Sequence, residues 1–275
     1  DHQSDGEAVE VLARQKNARV VLGEVTDIDL EARTVTSDLI SPLYNLIATV
    51  ALAFAARQSY RISRRVAWGW GLLALAQFLY TLGDILWAVL ELYFKISPSP
   101  SIADVLYLLF YPLFLAGVIV LPSGRVSRTE WLKRTLDLGI VMFASALGFW
   151  IFLIGPIIAA QGESSLPETF LSVAYPVGDL LVVLALLVMI YHRSEKLILG
   201  PVWFLISGYL VMIIADSAYS YQALLDEYIS GGIIDLGWLF CYILLAFAGV
   251  YQALDARTYN KDNTIPIRQF ILREK

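Results

Sequence analysis

Seven apolar runs, each close to the length that crosses a bilayer, constrain this chain more than any other feature. They cover approximately residues 38–56, 67–94, 104–121, 136–159, 169–191, 197–224 and 233–254. Crossing about 30 Å of hydrocarbon takes roughly 20 helical residues. Among 275 residues, 58% are hydrophobic and only 16% charged, too apolar for an ordinary soluble domain of this size. The expected fold is therefore an all-α integral membrane protein with seven transmembrane helices and the lipid bilayer as its solvent.

Charge along the connections assigns an orientation. Arg57, Arg61, Arg64 and Arg65 lie between runs one and two, Arg125, Arg128, Lys133 and Arg134 between three and four, and Arg193 and Lys196 between five and six. Lys95 is the only Lys or Arg in the three opposite loops. By the positive-inside rule the N-terminus is expected outside and the C-terminus inside. Three segments follow: an extramembrane piece 1–37, a transmembrane domain 38–256 and a basic cytoplasmic tail 257–275. The first piece alternates apolar and polar residues in NARVVLGEVTDIDLEARTVTS, as a short β-hairpin would. The net charge of −5 and the dispersal of Lys and Arg to the ends of apolar runs argue against a nucleic-acid partner. With a single cysteine, Cys241, there is no intrachain disulfide and no Cys-based metal motif.

The runs also resemble one another. TLGDILW at 81–87 aligns with IIADSAY at 213–219, pairing Asp84 with Asp216 and Trp87 with Tyr219 at an offset of 132. SIADVLYLLFYP aligns with GIIDLGWLFCYI at an offset of 131, pairing Asp104 with Asp235, Tyr107 with Trp238 and Tyr111 with Tyr242. A fainter echo, SPLYNLI against YPVGDLL, pairs Asn45 with Asp179. Helices 1 to 3 are thus expected to repeat as helices 5 to 7 in the same orientation, a parallel 3+1+3 arrangement with helix 4 as connector.

Three acids fall inside the runs. Asp84, Asp179 and Asp216 each cost roughly 2.5–3.5 kcal/mol to place at a helix centre unless they face a protein-lined or wet interior. No Lys or Arg occurs in any helix core. Their partners are therefore water, Tyr and Trp donors, one another, or an incoming cation or proton. Trp87, Tyr107, Tyr111, Tyr175, Tyr219 and Trp238 lie at the same depth and can donate hydrogen bonds or present aromatic faces to a cation. An aromatic belt with structural acids holding helices together accounts for the same residues. Asp104 and Asp235 start their helices, where capping is as good an account as ligand contact.

Several chemistries are missing. Helix 7 has no lysine for a retinal Schiff base, and the only histidines are His2 and His192, which does not suit membrane haem. No G-x-S-x-G, H-E-x-x-H or P-loop motif occurs. No enzymatic centre and no cofactor are expected.

YPVGDLLVVLALLVMIY and GYLVMIIADSAYSYQALLDEYISGGIIDLGWLFCYIL resemble the seven-helix membrane part of bacterial and archaeal sensors that precede PAS, GGDEF or histidine-kinase domains. The resemblance covers about residues 38 to 257 and rests on Tyr-Pro-x-Gly-Asp at 175–179, Ala-Asp with a following Tyr at 215–219, and Asp-x-Gly-Trp at 235–238. It implies an input module in a prokaryotic cell membrane whose last helix feeds a cytoplasmic signalling domain or partner protein; whether the chain pairs as a homodimer is left open by the sequence. A shorter stretch, residues 12–35, is similar to type II NADH dehydrogenase, but G-x-G-x-x-G is absent, so no flavin or nicotinamide binding carries over. The expected function is a membrane sensor or receptor. A small ligand, cationic or not, or a proton would enter from outside, engage the acids and aromatics, and shift helices 6 and 7. A small-solute transporter and a structural subunit of a membrane complex are the alternatives. The apolar LVVLALLVMI below the acids favours a blind pocket over a path.

Overall fold

The computed structural model describes Val35 and residues 38–96, 99–121, 127–160, 166–191, 199–225, 227–229 and 231–262. The hairpin expected in residues 1–37, the NADH-dehydrogenase-like stretch and most of the basic tail lie outside them. Every regular element among the described residues is helical. Seven helices are long and apolar enough to cross a membrane, which marks the chain as a multi-pass membrane protein.

These are α1 (Asp38–Ser59), α2 (Arg64–Tyr93), α3 (Ile102–Val120), α4 (Arg128–Ala159), α5 (Leu166–Tyr191), α6 (Leu199–Leu224) and α7 (Ile233–Asp262). Most run a few residues beyond the apolar stretches, because polar caps extend them past the hydrocarbon-length core. Ser63 caps α2 by accepting from Val66 N, and capping boxes start α3 at Ser101/Asp104 and α4 at Ser127/Glu130. Two helices carry a π turn, Val89–Tyr93 in α2 and Trp150–Ile154 in α4.

Packing follows a ring. α2 lies on α3, α3 on α5, α5 on α6 and α6 on α7. α1 closes the circuit: its Asn45 bonds Asp84 of α2, and its backbone at Ala51 is so close to Gly249 of α7 that a Cβ there would meet Ala51 C at 2.5 Å. α4 stands outside this ring, against α5 and, through its π turn, α6. Accordingly only 11% of its apolar window is buried, against 33–39% for the other six. The interior is filled by Leu52, Trp70, Leu73, Phe110, Phe114, Leu205, Tyr209 and Leu245, all below 2% exposure.

Candidate functional site

At the end of the bundle that carries the α1 N-terminus, the helices part around a cavity of about 140 Å³. We call this the mouth end. Nine of the eleven residues singled out in the sequence line the cavity. They are the acids Asp84, Asp104, Asp216 and Asp235, and the aromatics Trp87, Tyr107, Tyr175, Tyr219 and Trp238. Asp179 and Tyr111 do not; they are buried behind the wall, where Tyr111 Oη donates to Asp179 Oδ1 at 3.2 Å. Among the described residues no Lys, Arg or His lines the cavity.

Asp84 is the most heavily bonded acid. At 1.5 Å per residue it lies roughly 13 Å in from the end of α2. Its Oδ1 accepts from Tyr107 Oη at 3.0 Å, and its Oδ2 from Asn45 Nδ2 at 2.8 Å and Tyr242 Oη at 3.3 Å, with Ser41 Oγ at 3.5 Å. Helices α1, α2, α3 and α7 therefore meet on one carboxyl. Such a group is satisfied by neutral donors alone, as a buried acid without a cation must be. Tyr107 reaches it because Gly83, one residue earlier, leaves the ring room to lie flat on α2. A Cβ at Gly83 would stand 2.6 Å from Tyr107 Cε1.

Asp216, which the sequence alignment pairs with Asp84, lies on α6. Its Oδ1 accepts from Trp238 Nε1 of α7 at 2.7 Å, as Asp84 accepts from Tyr107 of α3. Asp179 of α5 stands within hydrogen-bond reach of it, as Asn45 of α1 does of Asp84. The Oδ2 of Asp216 is buried with no hydrogen-bond donor among the described residues.

Asp104 and Asp235 both cap and line. Asp104 Oδ2 accepts from Ser101 N at 2.7 Å and its Oδ1 from Tyr175 Oη at 2.7 Å and Ser99 Oγ at 3.1 Å. Asp235 Oδ2 accepts from Gly231 N at 2.6 Å and its Oδ1 from Tyr228 Oη at 3.0 Å. Trp87 turns its Nε1 to Glu91 Oε2 at 2.8 Å, and Tyr219 packs against Trp238 and Tyr228 with centroids 5.8 and 4.7 Å away.

Sequence reasoning missed one wall residue of consequence and the whole floor. Asp38, the first residue of α1, is 8% exposed, lines the cavity and leaves its Oδ2 without a donor among the described residues. It faces Glu91, which the π turn of α2 carries. Below Asp84 the interior is not apolar on α1 and α2, contrary to what LVVLALLVMI of α5 suggested. Asn45 Oδ1 accepts from Gln77 Nε2 at 2.6 Å and Thr81 Oγ1 at 2.9 Å, Thr81 pairs with Thr49 at 2.9 Å, and Gln77 Oε1 accepts from Tyr209 Oη at 3.2 Å. Each of these residues sits among hydrocarbon side chains, so the bonds replace the water it left. The signal was available: Asn45 and Thr49 are four apart, and Gln77, Thr81 and Asp84 fall at i, i+4 and i+7 on one helix face. Deeper still, Leu52, Leu73, Leu205 and Leu245 seal the bundle before the next buried polar contact, Gln252 Nε2 to Ser59 Oγ at 3.0 Å.

No family model, no curated protein and no solved structure matches this chain.

Proposed function

We propose that the chain is a membrane sensor module that takes a small ligand or a proton into the mouth-end cavity and passes a helix displacement to the opposite face. The observation that carries the reading is the shape of the polar interior. An acidic and aromatic cavity opens at one end, a hydrogen-bonded floor of Asn45, Gln77, Thr49, Thr81 and Tyr209 lies beneath it, and leucines close the bundle below. A vestibule that ends blindly suits reception better than passage. The bonds that line it join helices that would have to move. Asp84 couples α2 to α1, α3 and α7, and Asp216 couples α6 to α7. An occupant that competes for either acid biases those contacts, which is how a ligand with unequal affinity for two packings shifts their populations.

In this reading the mouth faces outward, by the distribution of Arg and Lys over the loops. α7 delivers the signal to a cytoplasmic domain or partner, as the sensor resemblance implies. The 3+1+3 duplication belongs to the same proposal. It is supported by the matching bonds Tyr107–Asp84 and Trp238–Asp216, by the matching caps at Asp104 and Asp235, and by the matching neighbours Asn45 and Asp179.

The test uses the full chain in lipid nanodiscs, with spin-label pairs at the ends of α6 and α7 remote from the mouth. A pH step or an added ligand is expected to change their separation, and Asp84→Asn and Asp216→Asn to abolish the change. An unaltered response in both variants would sink the proposal. A transporter remains the second reading, favoured by the floor residues that reach mid-bundle. Saturable solute flux into proteoliposomes would put it first.

A further inference from the structure

The acids on the cavity wall are not equivalent. Asp84, Asp104 and Asp235 have both oxygens engaged by protein donors. Two residues of the wall each hold one buried oxygen with no donor among the described residues: Asp216 its Oδ2, and Asp38, only 8% exposed, its Oδ2. Each stands beside a second acid, Asp38 beside Glu91 and Asp216 beside Asp179. Glu91 and Asp179 already accept from Trp87 and Tyr111. Two ionised carboxylates can only accept, so each pair is joined either by a proton that its members share or by a donor from outside the protein.

The surroundings narrow what that donor is. Among the described residues no Lys or Arg lines the cavity, so its field favours a cation. Among the same residues no three His, Cys, Asp or Glu side chains gather as a metal ion requires. Aromatic faces surround the space, among them Tyr80, Trp87, Tyr219 and Trp238, and such faces attract organic cations while covering carbon. The volume, about 140 Å³, is close to that of the roughly 150 Å³ engineered cavity that binds benzene, a molecule of six heavy atoms. A bare quaternary ammonium would enjoy the aromatic faces and leave both open oxygens without a donor.

We infer that the cavity takes a small aliphatic ammonium compound. Its N–H donors complete the Asp38–Glu91 and Asp179–Asp216 pairs, and its carbon chain lies on the aromatic walls. The inference rests on reading the cavity as the input site and adds the chemical class of what enters.

Calorimetry on the full chain in lipid nanodiscs tests it, with butane-1,4-diamine as probe. The expected result is saturable binding, weakened at least tenfold in Asp38→Asn and in Asp216→Asn and unchanged in the outward-facing Leu254→Ala. Tetramethylammonium, which lacks N–H, and butane-1,4-diol, which lacks charge, are expected to bind at least tenfold more weakly. No saturable diamine binding, equal binding of either analogue, or full affinity in Asp38→Asn would overturn the assignment. Should Asp216→Asn fail to fold, Asp38→Asn decides alone, since Asp38 is the first residue of α1 and its carboxyl meets Glu91 at the mouth end. A pH-driven movement of α6 and α7 without diamine binding would overturn the ammonium class and spare the input-site reading. Diamine binding without any movement would support the class and count against the sensor.

Discussion

Two glycines set the tyrosines that serve the acids. Gly83 precedes Asp84 and Gly178 precedes Asp179, and a Cβ on either would fall within 2.6 Å of the ring of Tyr107 or Tyr111 respectively. The missing side chain is what lets each phenol lie along a neighbouring helix and place its hydroxyl on the next residue's carboxyl. Gly83→Ala is therefore expected to displace Tyr107, break the 3.0 Å bond to Asp84 and cost about 1–3 kcal/mol, the usual range for depriving a buried polar group of its partner. Thermal denaturation in nanodiscs would read this. Combining it with Tyr107→Phe should add much less than the sum of the two, because both remove the same bond; full additivity would show that the ring never moved. At this scale the carboxylates were legible in the sequence, since a charge in hydrocarbon stands out at once. Asp38 was not, because it sits where an apolar run begins and reads as a flanking residue. Which oxygen lacks a donor is a matter of angstroms that no alignment of TLGDILW with IIADSAY contains.

Among elements, α1 and α2 are held by a polar seam that hydropathy alone does not show, though the residue spacing does. Asn, Gln and Thr are few in these runs, which keep a mean hydropathy of 1.8 and 1.6, so the helical assignment stands without revealing them. Once α1 and α2 are set side by side, Asn45 and Thr49 face Gln77, Thr81 and Asp84, and the bonds follow. Gln77→Leu should therefore strip Asn45 of a 2.6 Å bond and Tyr209 of its acceptor, at a cost of about 1–3 kcal/mol. Hydrogen exchange should rise in α1 around 45–49 and in α6 around 209. An unchanged exchange pattern would mean that the seam contributes no cohesion. Helix boundaries were legible only to within a few residues, because the capping serines that extend α2, α3 and α4 lie in polar stretches that hydropathy counts as loop.

For the whole molecule, the span count was the most legible feature, since seven separated apolar stretches admit few rearrangements. Sidedness is checked directly. Tyr60, 57% exposed in the turn after α1, and Tyr93, 80% exposed at the end of α2, lie at opposite ends of a helix that runs about 45 Å. In sealed cells a membrane-impermeant maleimide is expected to label Tyr93→Cys and to reach Tyr60→Cys only after permeabilisation. The native Cys241 is buried and silent in that experiment. Labelling of both from one side would overturn the seven-span topology.

The position of α4 outside the ring has one more consequence. The helices α1–α3 and α5–α7 form two strips whose edges meet at α3 with α5 and at α7 with α1, and neither junction runs through the peptide bond that joins them. The covalent link is thus redundant to the architecture. Two separately translated polypeptides, one ending after Leu121 and the other beginning before Ser127, should find each other in the same lipid and co-purify as a nicked but whole protein. Such a bipartite gene would also let each strip be exchanged on its own, so that one half could vary what it meets at the mouth while the other stayed fixed.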